Sequence, residues 1–463
     1  MAHDTNGPRV TALQFSISAR SASTRARRGV VRTPGGLFET PAFMPVGTRG
    51  SVKGVLPGLV RATGAQVVLA NTYHLLLRPG PDLVARRGGL HRFIGWNAPI
   101  LTDSGGYQAY SMADSNTITD DGVRFKSIVD GSTIELSPER ATQVQNALGA
   151  DIIMAFDDCP PARPLDGSEA ASDPRLVRAT NRDARRARVY DHAERLREAN
   201  ERTVRWLERC RAAHQRPHDQ ALFGIVQGGV DLAQREWSAE RICAIDLPGY
   251  AIGGVAVGES PEDIARVVRH TAPLLPEDRP RYLMGVGYER DLLNAVLAGV
   301  DMFDCVLPTR NGRNANAFTR SGQIRLRNAQ FAEDDRPIEE GCDCPACAPM
   351  GYPVGSSAGS CCKSIDVMGL HNSAASSDQN AGRITQTRGA SVPVGDSPFT
   401  RAYIRHLFLA GEMLGPILVT LHNLRHFQRF MAEVRATIAS DDWEGLIRRW
   451  PVAATGSRAG ESG

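Results

Sequence analysis

Three cysteines crowd one short stretch, Gly341-Cys342-Asp343-Cys344-Pro345-Ala346-Cys347. A C-x-C-x-x-C spacing puts three thiolates on one tight turn, the natural arrangement for three corners of a tetrahedral zinc site. The fourth corner must come from elsewhere. His422, in Thr420-Leu421-His422-Asn423 on a helix-like stretch, is the first candidate, with Cys361, Cys362, His371, His406 and His426 competing. Four protein ligands leave no room for activated water, so one such zinc per chain would be structural. A second centre is suggested by carboxylates. Asp103 opens Asp103-Ser104-Gly105-Gly106-Tyr107-Gln108, where the glycines leave the backbone uncovered for a planar ligand, although the same residues also make an ordinary turn. Asp304 lies inside the apolar run Met302-Phe303-Asp304-Cys305-Val306, where an acid is costly to bury unless it is paired or used. A carboxylate of this kind can attack an anomeric carbon and hold the sugar covalently while a second carboxylate handles the proton. Asp304 and Asp103 could divide that work.

Further polar groups suit the edge of a purine. Asp157 can accept from the ring N–H and exocyclic amine of guanine, unless it serves only as a helix cap. Gln227 can bond the carbonyl edge, and the backbone of Gly253-Gly254-Val255 can add donors or acceptors. Tyr107 and Met284 can sandwich the ring by stacking and soft contact.

The elements that must carry these groups are short apolar, β-branched runs, each followed by Gly, Asp, Asn or Gln. They are Phe43–Val46, Val67–Ala70, Pro99–Thr102, Asp151–Phe156, Leu222–Val226, Tyr250–Gly253, Tyr282–Gly285 and Met302–Val306. Continuous rather than alternating apolar residues suit strands buried on both faces of a parallel sheet. Helix-like stretches sit between most of them, including Pro138–Leu148 behind a Ser137 cap, Glu201–Ala213, Pro261–Thr271 and Glu289–Ala298. Eight strands with intervening helices predict an α/β chain folded as a (β/α)8 TIM barrel, and the polar residues just after the strands stand where barrel active sites are built. A doubly wound sheet is the structural alternative, but no G-x-G-x-x-G follows the first strand.

The chain of 463 residues is long enough for one large barrel with an appendage. Its net charge of +3 neither demands nor excludes a nucleic-acid partner. Arginines cluster locally, in Arg20, Arg25, Arg27, Arg28 and Arg32 and again over 175–216, where a solvated helix face with Glu194, Glu198 and Glu201 as partners is the simplest reading. Nine cysteines in so long a chain do not form a disulfide framework and point to a reducing compartment. No apolar run reaches about 18 residues, and the first residues lack an apolar signal core, so a cytoplasmic protein with no membrane contact is expected. Two stretches look inserted: 160–190, and the Gly/Ser/Ala-rich 348–397, which is expected to be disordered because it cannot bury enough surface. The tail over 453–463 is expected to be disordered too.

Taken in order, these motifs closely resemble the queuine tRNA-ribosyltransferase (tRNA-guanine transglycosylase) family. The matching stretches include Pro45-Val-Gly-Thr48, Leu69-Ala-Asn-Thr-Tyr-His74, Thr102–Gln108, Phe223–Gly229, Gly253–Glu259, Tyr282–Gly287, Met302–Arg310, the three cysteines, and Thr400–Tyr403 leading to His422-Asn423. The resemblance covers about 11–435. It implies a (β/α)8 barrel with a small zinc-binding subdomain near the C-terminus, over about 325–347 and 398–430. The implied reaction is exchange of the wobble guanine of tRNAs with a GUN anticodon for a 7-deazaguanine, in queuosine biosynthesis. On the matching positions Asp304 would be the nucleophile at ribose C1′ and Asp103 the general acid/base. Asp157, Gln227, Gly254 and Val255 would hold the base, with Asp103, Tyr107 and Met284 around it. Cys342, Cys344, Cys347 and His422 would bind Zn2+, and Arg310 and Arg313 would contact tRNA phosphates, a structural ion pair being their alternative role. Val257 and Cys159 resemble the bacterial branch, which uses 7-aminomethyl-7-deazaguanine and forms a homodimer; the eukaryotic branch takes queuine.

Three departures stand out. Cys347 and His422 are 75 positions apart, far beyond the family's spacing, so the zinc site requires 348–397 to loop out. The 160–190 stretch follows Cys159 at the rim of the base pocket. Val255 replaces the family's usual leucine. Other readings are a retaining glycoside hydrolase, which the cysteine cluster and Gln227-Gly-Gly disfavour; a non-catalytic zinc-containing tRNA-binding subunit, which would lack Asp103 and Asp304; and an archaeal-type enzyme, which would carry an added RNA-binding domain.

Overall fold

The computed structural model describes residues 12–111, 116–162, 191–256, 258–348 and 399–455. The chain opens with an antiparallel sheet of β1 (Gln14–Arg20), β2 (Arg27–Thr33) and β3 (Gly36–Thr40). β1 alternates exposed and half-buried residues, as a sheet packed on one face must. The barrel then starts with β4 (Ala42–Gly47), β5 (Val68–Ala70) and β6 (Ile100–Thr102). A second antiparallel sheet interrupts it: β7 (Asn116–Thr119), β8 (Gly122–Lys126) and β9 (Thr133–Leu136). The barrel resumes with β10 (Ile152–Met154), β11 (Ala221–Val226), β12 (Gly249–Ile252), β13 (Arg281–Leu283) and β14 (Met302–Cys305). β14 pairs in parallel with β4, Asp304 opposite Met44, and closes the eight strands into a barrel.

All eight expected strands are therefore present, several one residue shorter than their apolar runs and β10 three residues shorter. Nearly every position in them is buried, since one side faces the barrel interior and the other the helices. Met44, Leu101, Met154, Phe223, Ile225 and Tyr282 fill the interior, as expected for a barrel whose centre is a packed core. The helices Pro138–Leu148, Pro261–Thr271 and Glu289–Leu297 lie where the pattern put them, and Ser137 caps the first by accepting from Arg140 N–H at 3.2 Å.

Other elements depart from expectation. The Glu201–Ala213 helix is the end of a longer one, His192–Ala213, capped by Asp191. Its arginines are not a freely solvated face. Arg195 and Arg202 both reach the buried Asp158 at 2.6 Å, Arg205 reaches Asp120 at 2.9 Å, and Arg209 reaches Glu139 at 2.6 Å. The long side chains span the gap to the loop after β10 and to the β7–β9 sheet, so the helix pins both to the barrel. In the N-terminal cluster, Arg27 is buried and clasps Asp301 with two bonds of 2.9 and 2.6 Å.

After β14 come the hairpin β15 (Asn316–Thr319) and β16 (Gly322–Arg325), then the cysteine loop, the helix Arg401–Ala410 and the 27-residue helix Leu414–Ser440. Ala317, Leu326, Phe331, Ile338, Ile404, Phe408 and Val419 form a core of their own around the cysteines, which makes this segment a subdomain. Order continues past residue 435 through Trp443–Arg449 to Val452–Thr455, with Val452 and Ala453 buried, so part of the expected tail is packed helix. Residues 163–190, 349–398 and 456–463, on which the remaining insertion and tail expectations fall, lie outside the described residues, as does Val257. None of the described helices is long and apolar enough to cross a membrane.

Candidate active site and metal centre

The C-terminal ends of the barrel strands bring the expected carboxylates together. Asp103 follows β6 and is almost fully buried. Its Oδ1 accepts from the Thr72 N–H at 2.9 Å and its Oδ2 from Asn71 Nδ2. Both donors follow β5, the neighbouring strand, and Asn71 also caps the helix Thr72–Leu77. Gly105 holds a φ of 78°, and a Cβ there would stand 2.8 Å from Tyr73 N, so this turn requires glycine on two counts.

Asp304 sits on β14, half-buried. Its Oδ1 accepts from Tyr282 Oη at 2.6 Å and from the Gly285 N–H at 2.9 Å, both supplied by β13 and the turn after it. Asp157 follows β10, and its Oδ2 accepts from Gln227 Nε2 at 2.6 Å. Gln227, at the end of β11, is buried, and its Oε1 has no partner among the described residues. Gly254 has a φ of 61°, and a Cβ on it would come within 2.2 Å of that Oε1, so the amide occupies the space a side chain would fill.

Burial pushes Asp103 up to about 7, aided by the nearby charges of Asp304 and Asp157 and opposed by the Thr72 N–H. Burial likewise pushes Asp157 up to about 7, against the pull of the Gln227 amide. Asp304 is raised by burial too, with the Tyr282 hydroxyl drawing it back. Three carboxylates at a barrel mouth, all raised by burial and two of them, Asp103 and Asp157, to about 7, are fitted for acid–base and nucleophilic chemistry.

The remaining expected site residues fall into place unevenly. Met284 is partly buried beside the barrel core after β13, and Tyr107 is 40% exposed, open enough to meet a ligand ring. Val255 is buried in the core between barrel and helices, so only its backbone can face a base. Arg310 is exposed. Arg313 is half-buried, with its Nη1 donating to Thr309 O at 3.0 Å inside its own helix Leu307–Arg313. Neither makes an ion pair among the described residues. Sequence reasoning placed Asn71 and Thr72 in a polar run after a strand without giving them a partner, and it missed Tyr282 and Arg235 as supports. Arg235 left a signal: it shares the buried i, i+3, i+4, i+7 stripe of its helix with Ser238, Ala239 and Ile242, an unusual place for a guanidinium.

The second centre is also assembled. The ligand atoms of Cys342, Cys344, Cys347 and His422 all lie within 4.8 Å of one another, and all four residues are buried. His422 Nδ1 stands 3.6, 3.6 and 3.3 Å from the three Sγ atoms. Tetrahedral zinc bonds would separate S from N by about 3.6 Å, so the residues fit that ion. His422 Nε2 lies 2.7 Å from Phe318 O, which fixes Nδ1 as the ligand atom. Asp343, between the first two cysteines, receives two bonds from Arg425 at 2.7 and 2.6 Å, while Arg425 Nη1 donates to Thr63 O at 3.1 Å and ties the loop to the barrel. Of the competing ligands, His426 pairs with Glu289 at 2.6 Å and His406 stacks near Tyr403; Cys361, Cys362 and His371 lie outside the described residues.

Comparison with known proteins agrees with this geometry. A family model described as queuine tRNA-ribosyltransferase matches residues 21–352 and 387–454, with its break inside the second inserted stretch and none at 160–190. The queuine tRNA-ribosyltransferase of a Thermus thermophilus strain is 47% identical over 437 residues, 94% of this chain and 93% of its own length. That of Symbiobacterium thermophilum is 45% identical over 443 residues, 95% of this chain and 92% of its own. That of Synechococcus elongatus is 44% identical over 441 residues, 95% of each.

Proposed function

The chain belongs to the queuine tRNA-ribosyltransferase family, and from that premise we propose that it exchanges the wobble guanine of GUN-anticodon tRNAs for a 7-deazaguanine through a covalent aspartyl-ribose intermediate. The observation that carries this reading is the trio of carboxylates, the buried Asp103 and the half-buried Asp157 and Asp304, around one barrel mouth.

In this mechanism the target guanosine is flipped out of the RNA, because its C1′ is otherwise out of reach. Asp157 accepts from the base's ring N–H and amine. The Gln227 amide, which bonds Asp157 in the free protein, turns to the base carbonyl together with the Gly254 N–H. Tyr107 and Met284 flank the ring, and the Val255 backbone closes the pocket. Asp304, anchored through Oδ1 by Tyr282 and Gly285, attacks C1′ with Oδ2. The C1′–N9 bond breaks, and protonated Asp103 gives its proton to the departing guanine. The incoming base then loses its N9 proton to Asp103, N9 attacks C1′, and the ester bond breaks to restore Asp304. Two inversions give net retention. A pKa near 7 lets Asp103 give and take the proton in turn.

Outside the mouth, Arg310 and the remaining donors of Arg313 contact phosphates beside the target nucleotide. Cys342, Cys344, Cys347 and His422 hold a structural zinc that folds the subdomain and takes no part in the exchange. The incoming base is 7-aminomethyl-7-deazaguanine, a choice that rests on the resemblance of Val257 and Cys159 to the bacterial branch; a competition in which queuine is incorporated faster would reverse that choice. A homodimer is supported by large apolar side chains left exposed on the cysteine subdomain, Tyr403, Leu409 and Met413, at 42%, 60% and 79% exposure.

The test is exchange of radiolabelled guanine into tRNA. The purified protein should label tRNA with a GUN anticodon and not the same tRNA with another wobble base. Asp304→Ala should lose at least about a thousandfold in rate, as removal of a covalent nucleophile does. Labelling that persists in Asp304→Ala contradicts the nucleophile assignment, and no labelling by the wild type contradicts the function.

A further inference from the structure

Arg235 lies on the helix Leu232–Cys243 and is fully buried. Its guanidinium donates from Nε to Gly229 O at 2.9 Å, from Nη1 to Val226 O at 3.0 Å and Gly253 O at 2.6 Å, and from Nη2 to Gly254 O at 3.0 Å. Two of these carbonyls flank Gln227 after β11, and two belong to the turn after β12. A single fork thus joins the two segments that hold Gln227 and Gly254. Only arginine can do this, because its planar guanidinium offers five donors in fixed directions where lysine offers a mobile point charge.

A trans peptide holds its C=O and N–H on opposite sides of one plane. The Gly253 and Gly254 carbonyls are turned to the guanidinium, so the N–H groups sharing those planes, Gly254 and Val255, are turned away from it. No group among the described residues accepts from either N–H. Beside them Gln227 Oε1 is also buried without a partner. Successive free N–H groups form a concavity that takes an electron-rich oxygen.

We propose that Arg235 is a positioning and specificity-determining residue. By drawing the Gly253 and Gly254 carbonyls to itself, it presents the Gly254 and Val255 N–H groups as a donor pair, which makes the pocket select a purine carrying a 6-carbonyl over one carrying a 6-amino group. With the clamp released, the Gly254–Val255 peptide can turn and offer a carbonyl instead, which would accept from an amino group. This inference rests on the base-exchange reading above.

The experiment is competition of guanine and 2,6-diaminopurine against labelled guanine exchange, in the wild type, Arg235→Lys and Arg235→Gln, with melting temperatures measured in parallel. Arg235→Lys should raise KM for guanine more than it lowers kcat and cut the preference for guanine over 2,6-diaminopurine about tenfold, the effect of misplacing one buried donor. Loss of affinity for both bases in equal proportion, or an unchanged preference, overturns the proposal and leaves Arg235 a structural clamp. Should neither variant fold, hydrogen exchange on the wild type decides. The Gly254 and Val255 amides should exchange rapidly in the free protein and slow at least about tenfold with saturating guanine; amides indifferent to guanine overturn the proposal. A wild type that neither binds nor exchanges guanine brings down both readings, whereas one that does both while Arg235→Lys keeps its preference brings down this one alone.

Discussion

Asp157 and Asp103 are both raised by burial, but the proposed exchange gives them opposite tasks. In it Asp157 is ionised to accept from guanine, and Asp103 is protonated to assist its departure. With both near 7, guanine exchange should follow a bell-shaped pH profile centred close to neutrality, the acid limb reporting Asp157 and Asp304 and the alkaline limb Asp103. The same shift bears on stability. Asp157 has a folded pKa of about 7 against an ordinary 3.8, so the folded state binds more protons between those values. Its contribution to stability is complete below pH 3.8, declines as pH rises towards 7 and then stays lost. Asp157→Asn should therefore melt several degrees above the wild type at pH 8, with the gain vanishing near pH 4; calorimetry across that range measures it, and a gain independent of pH contradicts the burial argument. The clustering of these candidate residues was legible in the sequence because Asp103, Asp157, Gln227 and Asp304 each directly follow or interrupt an apolar run. Their partners were not. Asn71 and Tyr282 act on Asp103 and Asp304 from the adjacent strand, so their roles depend on how the barrel closes.

The eight barrel strands announced themselves as elements, because strands buried on both faces read as unbroken apolar runs such as Leu222–Val226. β1 and β7–β9 did not, since a sheet packed on one face alternates, and Gln14–Arg20 mixes serine and arginine among its few apolar groups. The C-x-C-x-x-C loop was legible for the opposite reason: thiols at that spacing have few other uses. Its fourth ligand was not fixed by spacing, because 75 positions separate Cys347 from His422; the Phe318 carbonyl at His422 Nε2 and the Arg425 clasp on Asp343 supply what the sequence lacked. The loop, the β15–β16 hairpin and the Leu414–Ser440 helix converge on this centre, with Asn423 bonding Phe318 N–H and Asn316 O and Arg425 bonding Asp343 around it. Loss of the metal should loosen that junction before the barrel. Metal analysis should find one zinc per wild-type chain and none in Cys344→Ser, whose melting temperature should drop by roughly 10 °C. A zinc-free wild type of full stability would contradict the structural role.

At the scale of the molecule, the barrel separates its tasks. Polar groups gather after the strands at the candidate site, while the Arg27–Asp301 ion pair and the hydrogen bonds of Asp151 to His91, Gly35 and Ile100 close the opposite end. The zinc subdomain stands beside the mouth, and its exposed Tyr403, Leu409 and Met413 would be buried in a homodimer. Light scattering should then give twice the mass of one chain at micromolar concentration and a shift towards monomer in Met413→Asp; a monomeric wild type contradicts the dimer. Such assembly is least legible in a sequence, because a surface apolar residue reads the same as a loosely packed core residue until the fold is known. The central claim concerns Asp304, and trapping its intermediate tests that most directly. Wild-type protein quenched in denaturant during exchange should carry tRNA covalently, and digestion should place the ribose on the peptide that contains Asp304. Exchange proceeding with no such adduct, or with the adduct on another residue, would contradict the account.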